Sequence, residues 1–158
     1  RGPKCIKCID GKAAPKSFYP MYSFSPHKVV EGNVALTFAA RLPVTNAVGF
    51  SVCLRGKNQS KDTALEIFFE KDGAIRTDKK GDLGRLVPGE WTAVKITFGL
   101  GAKRDGNYTV TLRDRTGERK HTFPFSNATF DELKWFGFIA GGTTDGCFYL
   151  DNLKFTFD

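Results

Sequence analysis

Cys5-Ile6-Lys7-Cys8 has the spacing at which thiolates hold metals or cycle as redox pairs, and Cys53 and Cys147 bring the cysteines to four. A structural zinc needs four ligands, of which one C-x-x-C supplies two. Cys53 and Cys147 stand far apart in the chain, with no second C-x-x-C and no paired histidines beside them. A thioredoxin-type pair opens a helix inside a βαβ unit, and no helical spacing follows this one. On a strand, residues three apart point to opposite faces. Cys5 and Cys8 therefore bind neither one ion nor each other. The stretch reads as a first strand that ends in a turn at Asp10-Gly11.

Other reaction chemistry is sparse. Retaining glycoside hydrolysis needs two carboxylates about 5 Å apart, and the E-x-D-x-E pattern that supplies them on a strand is absent. Glu66 and Glu70 share a face but stand roughly 13 Å apart along an extended chain. A polysaccharide lyase needs a His or Tyr base beside a group that neutralises the uronate. The two histidines are His27, in a proline-rich loop near Tyr19 and Tyr22, and His121, after Arg119-Lys120. Neither lies in a recognisable motif. No Ser/His/Asp arrangement, P-loop or dinucleotide fingerprint appears. The expectation is a protein that binds rather than catalyses.

The elements that would carry a site follow a period of two. Val34, Leu36, Phe38 and Leu42 face one way and Thr37 and Arg41 the other. Val48, Phe50, Val52 and Leu54 repeat the pattern opposite Ser51, Cys53 and Arg55. So do Leu65, Ile67 and Phe69 opposite Glu66 and Phe68. Asp72-Gly73 supplies the positive φ of a tight hairpin. Val87–Trp91 turns into a strand with Val94, Ile96 and Phe98 inward, and Asp105-Gly106-Asn107 leads to Tyr108, Val110 and Leu112. Lys134–Ala140 and Cys147–Phe157 close the chain. Short alternating strands with frequent turns predict an all-β, two-sheet antiparallel sandwich over 1–158 as one domain. Residues 12–31, with Pro15, Pro20 and Pro26, form an irregular segment that permits only short or edge pairing. Regular alternation gives each sheet a wet face and excludes a parallel α/β sheet.

Net charge is +7 with a pI near 9.3, but the basic groups are mixed with acids and turn glycines. That reads as a solvated basic surface rather than a nucleic-acid stripe, so nucleic acid is not the expected partner. No apolar run is long enough to insert into a membrane. The chain opens at Arg1 without a Met and reads as a fragment or processed form of a larger protein.

Two stretches carry a resemblance. Pro88-Gly89-Glu90-Trp91-Thr92-Ala93-Val94-Lys95-Ile96 is similar to a strand opening common in concanavalin A-like (laminin-G-like) jelly rolls. Phe148-Tyr149-Leu150-Asp151-Asn152-Leu153-Lys154-Phe155 is similar to the strand that closes many jelly-roll carbohydrate-binding modules. The likeness covers roughly residues 30–158 and implies a secreted or extracytoplasmic domain, at a cell surface or in a periplasm. Such modules often hold a structural calcium near the chain ends, which makes Asp151 the first candidate ligand and Asp10 a second. An unbroken strand would point Asp151 inward with Leu153 and Phe155; a bulge at Asp151-Asn152 would turn it outward. If first and last strands are neighbours, as in many jelly rolls, Cys5 or Cys8 comes near Cys147 as a disulfide candidate.

By the same likeness the expected ligand is a polysaccharide or other glycan, acidic or sulfated given the charge. The alternatives are a laminin-G-like protein-binding or architectural role and, third, a jelly-roll hydrolase or lyase. Sugar sites combine aromatic platforms with planar polar groups. Arg41, Ser51, Arg55, Glu66, Phe68 and Lys95 provide these on one mixed face, and Tyr19 and Tyr22 in an aromatic loop. Trp91 and Trp135 are assigned to core or sheet packing, not to ligand.

Overall fold

The computed structural model describes residues 4–12, 16, 18–58, 62–79, 81–141 and 145–158. In chain order the strands are β1 (Ile6–Asp10), β2 (Met21–Phe24), β3 (Gly32–Arg41), β4 (Phe50–Arg55), β5 (Thr63–Phe69) and β6 (Ala74–Thr77). Then follow β7 (Asp82–Arg85), β8 (Thr92–Leu100), β9 (Asn107–Asp114), β10 (Gly117–Pro124), β11 (Trp135–Ala140) and β12 (Gly146–Phe157). A front sheet has the order β1-β12-β3-β8-β9-β10, and a back sheet the order β2-β11-β4-β5-β6-β7. All pairings between named strands are antiparallel. This is the all-β sandwich that the alternation predicts.

The inward parities meet between the sheets. Val34, Leu36 and Phe38 of β3 and Val94 and Ile96 of β8 are buried from one side, and Val52, Leu54, Leu65 and Ile67 from the other. Aromatic rings lock the two layers together. Phe50 of the back sheet stacks on Phe148 of the front sheet at 4.3 Å and on Phe69 at 4.5 Å. Phe38 meets Phe138 edge-on at 4.9 Å. Such contacts add to the area they bury.

Turn chemistry fixes the registers. In the β5–β6 hairpin, Gly73 takes φ 92 and Asp72 Oδ1 accepts the Ala74 amide at 3.0 Å. Only glycine adopts that backbone angle without strain. Between β8 and β9, Asp105 Oδ1 accepts the Asn107 amide at 2.8 Å in the same manner.

The first and last strands are neighbours: Ile6 opposes Leu150 and Cys8 opposes Phe148. Within the proline-broken segment, Met21–Phe24 pairs with β11 as an edge strand, after a cis Tyr19–Pro20 bond. Strand β12 is interrupted where the register shifts between Asp151 and Lys154, with Asn152 at φ 52. Asparagine tolerates that left-handed angle, and the extra residue marks a β-bulge.

Candidate binding face

Register alone assembles a line of side chains on the outer face of the front sheet. Lys7 opposes Tyr149, and Tyr149 opposes Arg41. Trp91, just before β8, continues the line. The Arg41 guanidinium lies 4.6 Å from the centre of the Tyr149 ring and 5.3 Å from that of Trp91. Lys7 Nζ stands 6.0 Å from the Tyr149 ring. Each such cation–π contact is worth about 0.5–2 kcal/mol and holds the cation in place. Arg41 Nε is buried without a hydrogen-bond partner among the described residues.

The next lines across the strands are Asp151–Ala39–Ala93–Arg113–Glu118 and Lys154–Thr37–Lys95–Thr111–Lys120. Small residues in the middle columns leave a depression of about 310 Å3 over Thr37, Ala39 and Ala93, with Lys95, Arg113 and Glu118 at its rim. A second, of about 500 Å3, continues past Asn33 and Thr97 to Lys103 and Asp105. Its end wall depends on Gly99. A Cβ there would sit 2.0 Å from the Lys103 carbonyl, so no larger residue lets that turn fold back over the sheet. None of Lys7, Arg41, Lys95, Arg113 or Lys154 forms an ion pair with a described carboxylate. Asp151 faces the same side, and its Oδ1 accepts the Asn152 amide at 2.7 Å. The face is an open basic trough with a Trp–Arg–Tyr line at one end.

The outer face of the back sheet is built oppositely. The Trp135 indole folds over Gly137, where a Cβ would come within 2.4 Å of it. Arg55 stacks on that indole at 4.6 Å and its Nε donates to Cys53 Sγ at 3.2 Å. The Ser51 hydroxyl donates to Glu66 Oε1 at 2.7 Å. Ser51 and Cys53 are buried although their parity is outward. Burial first, and the Glu66 charge second, raise the Cys53 thiol above its ordinary value. A hollow of about 400 Å3 remains beside Phe68 and Arg76, but Arg76 is paired with Glu70 at 2.6 Å.

The candidates that alternation puts on one mixed face therefore divide. Arg41 and Lys95 lie on the front sheet; Ser51, Arg55, Glu66 and Phe68 lie on the opposite side of the sandwich. Period two reports inward against outward and not which sheet a strand joins. Phe68 is half-buried and not a free platform. Tyr19 and Tyr22 are exposed on the flank by β1 and β2, Tyr22 against Phe138 at 6.4 Å. Trp135 packs as expected. Trp91 is not core: it joins Arg41 on the front face, and with it come Lys7, Arg113 and Tyr149, which the sequence reading left out. Tyr149 carried a usable signal, as the outward member of Phe148-Tyr149-Leu150.

No family profile matches the sequence, and no curated protein matches it. Solved structures do. A sialidase superposes with TM-score 0.73 at 10% identity over 99% of this chain, which spans 16% of the sialidase chain. The marine alginate lyase from Aplysia kurodai gives 0.65 at 12% identity, covering 98% of this chain and 83% of that one. A galectin from the ball sponge Cinachyrella gives 0.54 at 14%, covering 87% and 100%. The fold is a concanavalin A-like jelly roll.

Two expectations attached to jelly rolls need correction here. The bulge turns Asp151 to the outer face beside Ala39, whereas Asp10 opposes Gly146 near the other end of β12. Asp151 and Asp10 therefore do not fit one calcium site. Among the described residues no cluster of three or more His, Cys, Asp or Glu is placed to hold a metal. The disulfide candidates also fall apart. This jelly roll does set β1 beside β12, but Cys147 opposes Ile9, one residue out of step with Cys8 and on the other side of the sheet. Cys5, Cys8, Cys53 and Cys147 are all free, with Cys5 alone exposed. Burial, with the neighbouring Cys147 adding to it, pushes the Cys8 thiol from 9.0 up to about 11.

Proposed function

We propose that this chain is a non-catalytic, extracytoplasmic module that binds an acidic polysaccharide in the trough of the front sheet. The observation that carries the reading is the set of five cations on the outer face of the front sheet, Lys7, Arg41, Lys95, Arg113 and Lys154, none in an ion pair with a described carboxylate, of which Lys95 and Arg113 border an alanine and threonine floor together with Glu118. Arginine offers planar, bidentate hydrogen bonds to a carboxylate or sulfate. Trp91 and Tyr149 present ring faces for a sugar, and the threonines of β3, β8 and β9 suit hydroxyls. The sialidase, alginate lyase and galectin neighbours supply the carbohydrate class. The non-catalytic reading rests on placement. Glu66 is on the other side, His121 stacks on Phe123 at 6.3 Å, and His27 lies in an exposed loop.

The test is affinity electrophoresis and calorimetry against polyuronate, sulfated and neutral polysaccharides. Retardation by the anionic gels, weakening with salt, is expected. Retardation by none of them sinks the reading in favour of a protein-binding role. Release of unsaturated uronate ends from the same mixtures would instead make the face a lyase site.

A further inference from the structure

Strand β12 has one edge that is only half covered. On the side away from β3, β1 pairs with it from Gly146 to Leu150. Beyond the bulge, Lys154 to Phe157 pair with β3 alone among the described residues. Asp158 prolongs that pairing, its amide donating to the Asn33 carbonyl at 3.3 Å. Along an antiparallel pair, successive residues turn their backbone polar groups to opposite sides. Asp158 turns its amide toward β3, so Phe155 and Phe157 turn theirs to the open edge. The side chains there are apolar as well. Phe157 is 57% exposed, and Phe24, 6.3 Å from Phe155, is 50% exposed. An open apolar edge invites another strand unless charge, proline or brevity blunts it. Other edges of the sandwich are blunted: β10 carries Glu118, Arg119 and Lys120 and ends on Pro124, and β2 and β7 have four residues each.

We propose that this edge joins two copies of the chain, their β12 strands paired antiparallel about Thr156. The occupant is argued from charge. Lys154-Phe155-Thr156-Phe157-Asp158 is its own complement when reversed. Paired about Thr156, each Lys154 opposes Asp158 of the other copy, and each Phe155 opposes the other Phe157. Opposite charges directly across a strand pair stabilise it, and like charges do the reverse. The same register gives partners to the open backbone groups of Phe155 and Phe157 in both copies. A shift of two residues either way parts Lys154 from Asp158. Beneath the strands, Phe157 and Phe24 of the two copies close over one another and leave water. The interface is isologous, with its two-fold axis through the paired Thr156 residues and perpendicular to the sheet. Both front faces therefore look the same way, and the six-stranded front sheet continues across the junction. The pairing takes Lys154 from the trough's cations and sets two troughs side by side. That second consequence, a bivalent surface for a long polysaccharide, rests on the glycan reading; the interface itself does not.

Analytical ultracentrifugation over a concentration series tests this without any glycan, in about 0.15 M salt to screen the charge of each copy. The 17.5 kDa chain is expected to sediment at twice its mass as concentration rises. Lys154→Asp sets acid against acid twice and should weaken the dimer by at least roughly tenfold, as should Asp158→Lys by setting base against base. The two changes together restore opposite charges and should return the dimer to within about threefold of the wild type. All three positions, with Thr156, are exposed, so the variants should unfold near the wild-type temperature. Thr156→Cys in a Cys5→Ser background should link two copies covalently under diamide. Residues facing across such an axis stand about 4.5 Å apart at Cα, within reach of a disulfide. A wild type that stays monomeric throughout overturns the interface. So does a dimer that either single charge reversal leaves intact, or one that Thr156→Cys fails to link.

Discussion

The two outer faces of this sandwich come from strands with the same alternation, yet one is open and the other sealed. On the front sheet the outward residues of β3 and β8 include Ala35, Thr37, Ala39, Ala93 and Lys95, so the middle of the face is floored by small side chains, with Ala39 buried among its neighbours. On the back sheet the outward residues of β11, β4 and β5 include Trp135, Arg55, Glu66 and Phe68, which close over Ser51 and Cys53. The charge arrangement differs in the same sense. Among the described residues, Lys7, Arg41, Lys95, Arg113 and Lys154 form no ion pair, while Ser51, Glu66, Arg55 and Arg76 are engaged with back-sheet neighbours. An outward position thus becomes a binding position only when its neighbours are small and its charge is unpaired. The first condition leaves room, and the second leaves a reason for a ligand to enter.

The largest way to break this contrast is to open the sealed side. Trp135→Ala removes a buried indole and the surface on which Arg55 rests, and should cost roughly 3–5 kcal/mol of stability. In the fraction that remains folded, the Cys53 thiol should become reactive to a thiol reagent, which in the wild type reaches only Cys5 in the native state. Denaturant titration and thiol counting check both outcomes. Glycan retardation by the folded fraction should stay as in the wild type, because the front face is untouched.

Alkaline pH probes the sealed thiols without mutation. Cys8 and Cys53 both have folded pKa values raised above the unfolded one, so the fold favours their neutral forms. The Cys8 contribution is whole below pH 9.0 and is lost as pH rises toward about 11; the Cys53 contribution is lost in the same direction. For Cys8 the two-unit difference corresponds to a loss of at most about 2.7 kcal/mol. Unfolding free energies compared on the two sides of that window should show the fall. A Cys8→Ala variant should show a smaller one, after allowance for its own packing loss.

On the open side, Arg41→Ala should leave stability within about 1 kcal/mol and weaken acidic-glycan binding by about 1.5–3 kcal/mol, roughly 10–150-fold. Ala93→Glu should do comparable damage by putting a negative charge on the floor between Ala39 and Arg113. Calorimetry on both, with thermal unfolding as the control, separates a lost contact from a lost fold. If neither changes affinity for any ligand the wild type retains, the trough is not where that ligand binds.

The strands were legible in the sequence wherever one face is buried and regular. Val34, Leu36 and Phe38, or Val94, Ile96 and Phe98, declare their orientation by hydrophobicity alone. Strand β10 did not, because it is an edge strand exposed along much of its length and its Arg119-Lys120 resembles a loop. Of the five cations on the front face, Arg41 and Lys95 were legible. Arg113 and Lys7 were not, because they reach Arg41's neighbourhood only through pairings between β1, β12, β3, β8 and β9 that are distant in sequence, and Tyr149 signals that it faces outward but not that it meets Arg41. The Asp151 bulge is a further limit. It depends on one left-handed residue, and parity counting cannot pass through it.

The smallest effect sharpens the contrast most. Ser51→Ala deletes one hydroxyl that donates to Glu66 at 2.7 Å. Glu66 is half-buried, so water replaces the lost donor only in part, and about 1 kcal/mol of stability should go. Were the back face a ligand site in disguise, this change would free the Glu66 carboxylate and alter binding. Since its polar groups are occupied with one another, glycan affinity should stay within about twofold while the midpoint of denaturation moves. A change in affinity larger than the change in stability would mean that the sealed face also meets the ligand, and that packing rather than chemistry had hidden it.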